Sequence, residues 1–189
     1  EERVVSDHQQ LIWDRNDPAR AFLELRGPAV TGAVGFLQNR TFSFPAWSFH
    51  LEEKSPDHCA VLLQPAGGRW PVAEDTPATQ QSPTSLMSQA SENFLFTVWS
   101  EHRNTGMRWN KEQNSVDDRW GQAPPRIRPV RLSASFQPPA GTSLRLYALD
   151  PTGARKKEIK GKPDADGVWK FIIDTGKEKT FWFEGEIIK

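Results

Sequence analysis

The chain has 189 residues, enough for one large domain or two small ones with a core of their own. Its 24 basic and 24 acidic residues balance, so composition gives no electrostatic case for a nucleic acid or an anionic membrane as partner. No apolar run approaches the roughly 20 residues of a membrane span, and a single cysteine excludes an internal disulfide.

The first third of the chain predicts short strands separated by turn residues. Residues 3–14 read as two strands around a polar turn, and residues 20–26 alternate between two faces with the period of a strand. Further strands are predicted at residues 29–37, 41–44, 47–52 and 59–63. Because Cys59 belongs to an apolar run, we predict a buried free thiol. Its neighbour His58 should point to the opposite face, which argues against a catalytic Cys–His pair.

Residues 64–92 differ in composition from the rest of the chain. They are rich in proline, serine, threonine and glutamine and poor in aliphatic residues. This predicts a long Pro/Ser/Gln-rich loop with one helical turn near residues 86–90.

The second half of the chain predicts a longer series of strands. One strand is expected at residues 94–102 and another at residues 126–136, where Pro129 indicates an edge strand or a bulge. Four more are expected at residues 143–149, 155–160, 168–173 and 180–187, with turns at 150–153, 164–167 and 175–177. The pattern predicts an all-β fold: one antiparallel, jelly-roll-like β-sandwich domain over residues 1–189, with long loops and little helix.

The titratable residues do not form a recognisable catalytic or metal-binding set. The four histidines lack metal-ligand spacing, and Asp164-x-Asp166-Gly167 is only a fragment of a calcium loop, so neither a metal nor a cofactor is predicted. Glycoside hydrolysis requires two carboxyl groups that face each other across a cleft. The sequence selects no such pair among the carboxylates near the loop after residue 102, which are Glu101, Glu112, Asp117 and Asp118.

Tryptophans in polar surroundings are the strongest candidates for ligand contacts. Trp109 and Trp120 lie in the polar loop between residues 102 and 126, and an indole face gives apolar contact to a sugar ring. The accompanying hydrogen-bonding candidates are Arg108, Asn110 and Asn114, and Trp70 is a second exposed candidate. The alternative is that these rings fold back over the end of the sandwich. The tryptophans in strands are expected in the core: Trp13, Trp99, Trp169 and Trp182.

Several segments together resemble a known protein region. One is the run Arg103-Asn104-Thr105-Gly106-Met107-Arg108-Trp109-Asn110, in which Asn-Thr-Gly-Met is the most specific element, followed by Trp120-Gly121 and Arg128-Pro129-Val130. These segments, with Thr31-Gly32-Ala33-Val34-Gly35-Phe36 and Tyr147-Ala148-Leu149-Asp150-Pro151-Thr152-Gly153, resemble the C-terminal β-rich accessory region of large bacterial glycoside hydrolases of the planctomycete and verrucomicrobial type. The sequence departs from that pattern at Asp7-His8-Gln9 and in an insert at residues 69–85.

The resemblance implies a non-catalytic domain of a polysaccharide-degrading enzyme. It places the catalytic carboxylates in an upstream TIM-barrel domain of the same polypeptide, and it implies an extracellular or periplasmic location, although these residues include no signal peptide. We therefore expect carbohydrate binding through surface aromatic residues, with a polysaccharide or oligosaccharide as partner. The alternatives are a structural domain that packs on the catalytic barrel and a stand-alone glycosidase.

Overall fold

The computed structural model describes residues 3–66, 93–112 and 114–189. Strands account for 54% of the residues and helix for 4%, which confirms the all-β prediction. The described strands form a nine-stranded sheet, a five-stranded sheet and a two-stranded ribbon, and all the pairings are antiparallel.

The nine-stranded sheet forms one layer of the sandwich. In spatial order its strands are β1 (Arg3–Val5), β2 (Leu11–Asp14), β3 (Phe22–Arg26), β4 (Thr31–Phe36), β7 (His58–Pro65), β8 (Asn93–Ser100), β16 (Trp182–Ile188), β12 (Ser143–Leu149) and β13 (Arg155–Ile159).

The five-stranded sheet forms the second layer. In spatial order it consists of β14 (Lys162–Pro163), β15 (Trp169–Asp174), β11 (Arg131–Phe136), β6 (Trp47–Leu51) and β5 (Thr41–Phe44). The ribbon pairs β9 (His102–Thr105) with β10 (Gln122–Ile127). The described helical elements are a 3-10 turn (Pro18–Arg20) and one helical turn, α1 (Thr175–Glu178).

Aromatic side chains from both layers fill the space between the sheets. Trp47 and Phe136 of the small sheet stack with their ring centroids 6.1 Å apart, and Phe96 of the large sheet meets both rings edge-on. The buried Trp47 indole donates a hydrogen bond of 2.9 Å to the Thr31 hydroxyl, so its polar atom does not remain unsatisfied. These aromatic contacts belong to a core that both sheets share.

Most of the predicted strands and turns are confirmed. In the turn after β12, the Asp150 carboxylate accepts backbone hydrogen bonds from Thr152 (2.8 Å) and Ala154 (3.0 Å), as such a turn requires. Cys59 is a buried free thiol, and its burial raises its pKa to about 12. His58 is exposed on the opposite face of β7.

Several predictions are wrong in detail. Residues 126–136 do not form one strand: β10 ends at Ile127 and β11, a central strand, begins at Arg131. Residues 94–102 are likewise divided between β8 and β9, and the turn expected at 175–177 is helix α1. Trp13 is 47% exposed and not in the core. Trp99 and Trp182 are half-buried on the outer face of the large sheet, whereas Trp169 packs against the core.

Some predicted features lie outside the described residues. They include Trp70, the helical turn near residues 86–90 and the insert at 69–85. Almost all of the long loop predicted at 64–92 also lies outside the described residues, and Gln64 and Pro65, at its predicted start, belong to β7.

Candidate functional site

The ribbon holds the loop that carries Trp109 and Trp120. Asn104 donates a side-chain hydrogen bond of 3.1 Å to the Trp120 carbonyl, and the Thr105 hydroxyl donates one of 2.8 Å to the Pro124 carbonyl. Gly121 has φ +70°, and a methyl group there would lie 2.5 Å from the Met107 nitrogen. Only glycine fits both the backbone conformation and the close approach of the two arms.

Hydrogen bonds within the loop fix its shape beyond the strands. The Arg108 amide donates to the Arg119 carbonyl across the loop at 3.1 Å. The Asn110 side-chain oxygen accepts from the Asn114 amide at 3.1 Å, and the Asn110 side-chain nitrogen donates to the Asn114 side-chain oxygen at 2.7 Å. The side chains of both asparagines therefore bond to each other within the loop, whereas the sequence predicts that they donate and accept hydrogen bonds with a ligand.

Both loop tryptophans are exposed, Trp120 more than Trp109. Trp120 is 62% exposed and Trp109 is 40% exposed. Trp120 follows Arg119, and Trp109 follows Arg108. Because a backbone hydrogen bond joins Arg108 to Arg119 across the loop, the two tryptophans belong to facing segments of one loop. Arg108 is exposed beside them. An arrangement of this kind can offer stacking surfaces and a cation to a sugar chain.

One face of the ribbon concentrates positive charge. Arg103 and Arg126 are directly opposite in the β9–β10 register, and the same face carries Glu101 and Arg128. Glu101 accepts a hydrogen bond from Arg103 at 2.9 Å and another from Arg128. Partial burial opposes ionisation of Glu101, but the bonds from the two arginines outweigh it and hold its carboxyl pKa below the usual value.

The large sheet presents a second candidate surface on its outer face. Residues directly opposite on neighbouring strands share a face, and one such row crosses six strands with apolar side chains only. The row is Val4, Trp13, Leu23, Val34, Ala60 and Trp99. A parallel row is Leu11, Leu25, Gly32, Leu62, Thr97 and Trp182. We call these two rows the apolar face.

Charged residues border the apolar face on β16 and on the strands beyond it. Arg155 donates two hydrogen bonds to the Glu184 carboxylate, at 2.7 and 3.0 Å, and a third to Glu186 at 3.1 Å. Its guanidinium also lies 4.2 Å from the centroid of the Tyr147 ring. The bonds from Arg155 lower the pKa of Glu184. The apolar face therefore ends at a polar rim, as protein interfaces commonly do.

The outer face of the small sheet is polar by comparison. One of its cross-strand rows is Thr41, His50, Ser133 and Ile172, and another is Ser43, Ser48, Ser135, Lys170 and Lys162. Ile172 is 51% exposed among these polar side chains. The two layers therefore differ sharply in what they present to their surroundings.

The clefts that we identify are shallow and do not pair carboxylates. A cleft of about 280 Å³ is lined by Ala19, Arg20, Phe36, Gln38 and Asp57. A larger one of about 680 Å³ is lined by Arg3, Val5, Ser6, Asp7, Gln9, Ile12 and Arg26. Each contains one aspartate, so neither offers the facing pair that a glycosidase needs.

Within the described ranges, no group of three or more histidine, cysteine or acidic side chains is placed to hold a metal ion. In the same part of the chain, no helix is long and apolar enough to cross a membrane.

Comparison with known proteins gives no relative: no family model, curated protein or solved structure matches the chain. The candidate sites therefore depend on the geometry alone. It brings Trp109, Trp120, Arg108, Asn110 and Asn114 into one loop, and their role in sugar binding stays a prediction.

Sequence reasoning missed the apolar face, although the sequence contains a signal for it. Strands β7 and β8 are apolar at nearly every position, as in Cys59-Ala60-Val61-Leu62-Leu63 and Phe94-Leu95-Phe96-Thr97-Val98-Trp99. A strand that contacts a core on one side and water on the other should alternate apolar and polar residues. Continuous apolar runs indicate strands that are covered on both faces.

Proposed function

We propose that this chain is a non-catalytic accessory domain that packs its apolar face against the catalytic domain of a polysaccharide-degrading glycoside hydrolase. The contrast between the two outer faces supports this function better than any other observation. The polar face of the small sheet suits contact with water, whereas the large sheet presents two rows that are apolar except for Thr97 and that each cross six strands.

The size and the exposure of the apolar face suit a protein partner. Six strands spaced about 4.8 Å apart extend roughly 24 Å, a width typical of protein–protein contacts and greater than a single sugar ring requires. Val4, Leu11 and Trp13 are 42%, 44% and 47% exposed. Covering the exposed half of Trp13, roughly 100 Å², contributes about 2.5 kcal/mol to docking.

The proposal can be tested by adding charge to the apolar face. We expect the isolated chain to bind an apolar fluorescent dye and to self-associate as its concentration rises. The double variant Trp13→Lys and Leu11→Lys should reduce both effects. The matched control, Ile172→Lys, should change neither, because Ile172 lies alone among polar neighbours.

The decisive comparison uses a polypeptide that joins the chain to the catalytic domain. Dye binding should disappear in the joined polypeptide, which should unfold in one thermal transition. The double variant should separate that transition into two. If the joined polypeptide binds dye as strongly as the isolated chain, the apolar face is not the docking surface and the proposal is wrong.

Carbohydrate binding by the ribbon loop is the second candidate function. The observation that favours it is the exposure of Trp109 and Trp120 on a loop fixed by its own hydrogen bonds. A glycan screen of the chain should find binding that Trp109→Ala and Trp120→Ala each weaken. Binding that survives both changes would remove this loop as the site.

A further inference from the structure

The ribbon face with three arginines has more positive charge than its own carboxylate balances. Glu101 is shared between Arg103 and Arg128, and Arg126 has no ion-pair partner among the described residues. Arg126 and Arg103 are directly opposite in the register, so the β-carbons of two side chains of like charge lie roughly 5 Å apart. Like charges in this position destabilise a strand pair unless an anion lies between them.

The orientation of the ribbon leaves this face open. His102 and Ile127 occupy the opposite face, and the His102 ring contacts Trp99 on the large sheet at 5.9 Å. Side chains alternate along a strand, so Arg103 and Arg126 point away from that contact. Both arginines are exposed. An anionic group can therefore approach this face without displacing any described part of the chain.

The position of the loop tryptophans favours a particular kind of anion. Arg103 lies two residues before Thr105, and Thr105 pairs with Gln122. Two residues of strand span roughly 7 Å. The arginine pair is therefore roughly 7 Å from the point where the segment that carries Trp120 joins the ribbon. A polymer with ring surfaces and regularly spaced negative groups fits both features. The planar guanidinium of arginine can donate two parallel hydrogen bonds to the oxygens of a sulfate or carboxylate group.

We propose that the face formed by Arg103, Arg126 and Arg128 binds the sulfate or carboxylate groups of an acidic polysaccharide. This inference goes beyond docking and builds on the carbohydrate-binding candidate, for which it names the substrate class. Glu101 occupies two of the arginines, Arg103 and Arg128, and leaves Arg126 available for the ligand.

The test compares three polymers by affinity electrophoresis and calorimetry: dextran sulfate, polygalacturonate and neutral dextran. We expect one or both anionic polymers to bind at low salt more tightly than dextran, with affinity that falls as salt rises. The polymer that binds identifies the group, sulfate or carboxylate. If both anionic polymers bind no more tightly than dextran, the inference is wrong.

Three charge variants then locate the site. Arg126→Gln should weaken binding about two- to fivefold, the effect of one exposed ion pair. Glu101→Gln should tighten it, because it removes the competing carboxylate. Lys162→Gln, the matched control, removes one positive charge at the other end of the sandwich and should leave affinity unchanged. Equal losses in Arg126→Gln and Lys162→Gln would mean that only overall charge matters, and would overturn the inference.

The binding experiments distinguish failure of the anion site from failure of carbohydrate binding as a whole. Neutral-glycan binding through Trp109 and Trp120, without preference for an anionic polymer, overturns the anion site alone. If neither neutral nor anionic glycans bind, the carbohydrate-binding function is wrong as well. Circular dichroism melts of each variant establish that the fold is intact before affinities are compared.

Discussion

Two glycines in the ribbon hairpin provide a sharp test of how rigidly the loop is built. Gly106 and Gly121 both have positive φ, +78° and +70°. A methyl group at Gly106 would meet no atom within 4 Å, whereas at Gly121 it would collide with the backbone of Thr105 and Met107. Alanine at either position introduces the same backbone strain, but only at Gly121 does it force the two arms apart.

The backbone strain and the steric collision should destabilise the hairpin by different amounts. Left-handed backbone strain costs about 1 kcal/mol for alanine, so Gly106→Ala should destabilise the hairpin by about that amount. Overpacking adds about 1–3 kcal/mol, which brings Gly121→Ala to about 2–4 kcal/mol. Because Gly121 follows Trp120, the backbone shift should also move the tryptophan and weaken any glycan binding.

Amide hydrogen exchange measures the difference where it arises. The Arg108 amide, which donates across the loop to Arg119, should exchange faster in Gly121→Ala than in Gly106→Ala by a factor of about 5–150, the equivalent of about 1–3 kcal/mol. Amides in the central strand β11 should be unaffected in both variants. Equal exchange in the two variants would refute the claim that close backbone approach requires Gly121.

Three further predictions concern the core, the thiol and pH. Gly185→Ala should destabilise the fold by about 3 kcal/mol in urea unfolding, because its methyl group would overlap the buried Phe94 ring; a loss below 1 kcal/mol would contradict this packing. Cys59 should resist alkylation at pH 8 in the folded chain and react rapidly in urea, since burial raises its pKa to about 12. The folded pKa of Glu101 lies below its ordinary value of 4.5, so its contribution to stability is complete above that value and is lost as pH falls below it. Glu101→Gln should therefore flatten the acid side of the stability curve, and an unchanged curve would mean that the ion pairs contribute nothing.

The strands and turns were predictable because their signals are local. Alternation along a strand and aspartate chemistry in a turn depend on neighbouring residues, as at Asp150 and Asp164. Periodicity shows that a strand has two faces, but it does not show which face another layer covers. Periodicity therefore does not distinguish Trp13 from a core residue, although its strand presents Trp13 outward and Ile12 inward.

The finer details of the site depend on register, which the sequence did not reveal. The register of β9 and β10 shifts between Gln122 and Pro125, and this shift places Arg126 opposite Arg103. Residues 126–136 alternate as if continuous, yet the ribbon and the small sheet divide them. A single periodic run contains no information about a change of partner strand.

The two candidate surfaces meet at one residue, and this links the proposed functions. Trp99 ends the first apolar row, and its ring also contacts His102 at the base of the ribbon and Phe181 at 4.5 Å. A partner that covers the apolar face would therefore lie beside the ribbon, while the face formed by Arg103, Arg126 and Arg128 points away from Trp99 and remains open. Docking would then fix the ribbon at the border of the partner domain and hold an acidic glycan next to it. Affinity for that glycan should accordingly be higher in the joined polypeptide than in the isolated chain, because the neighbouring partner surface adds contacts to the same polymer. Equal affinity would mean that the partner does not reach the glycan.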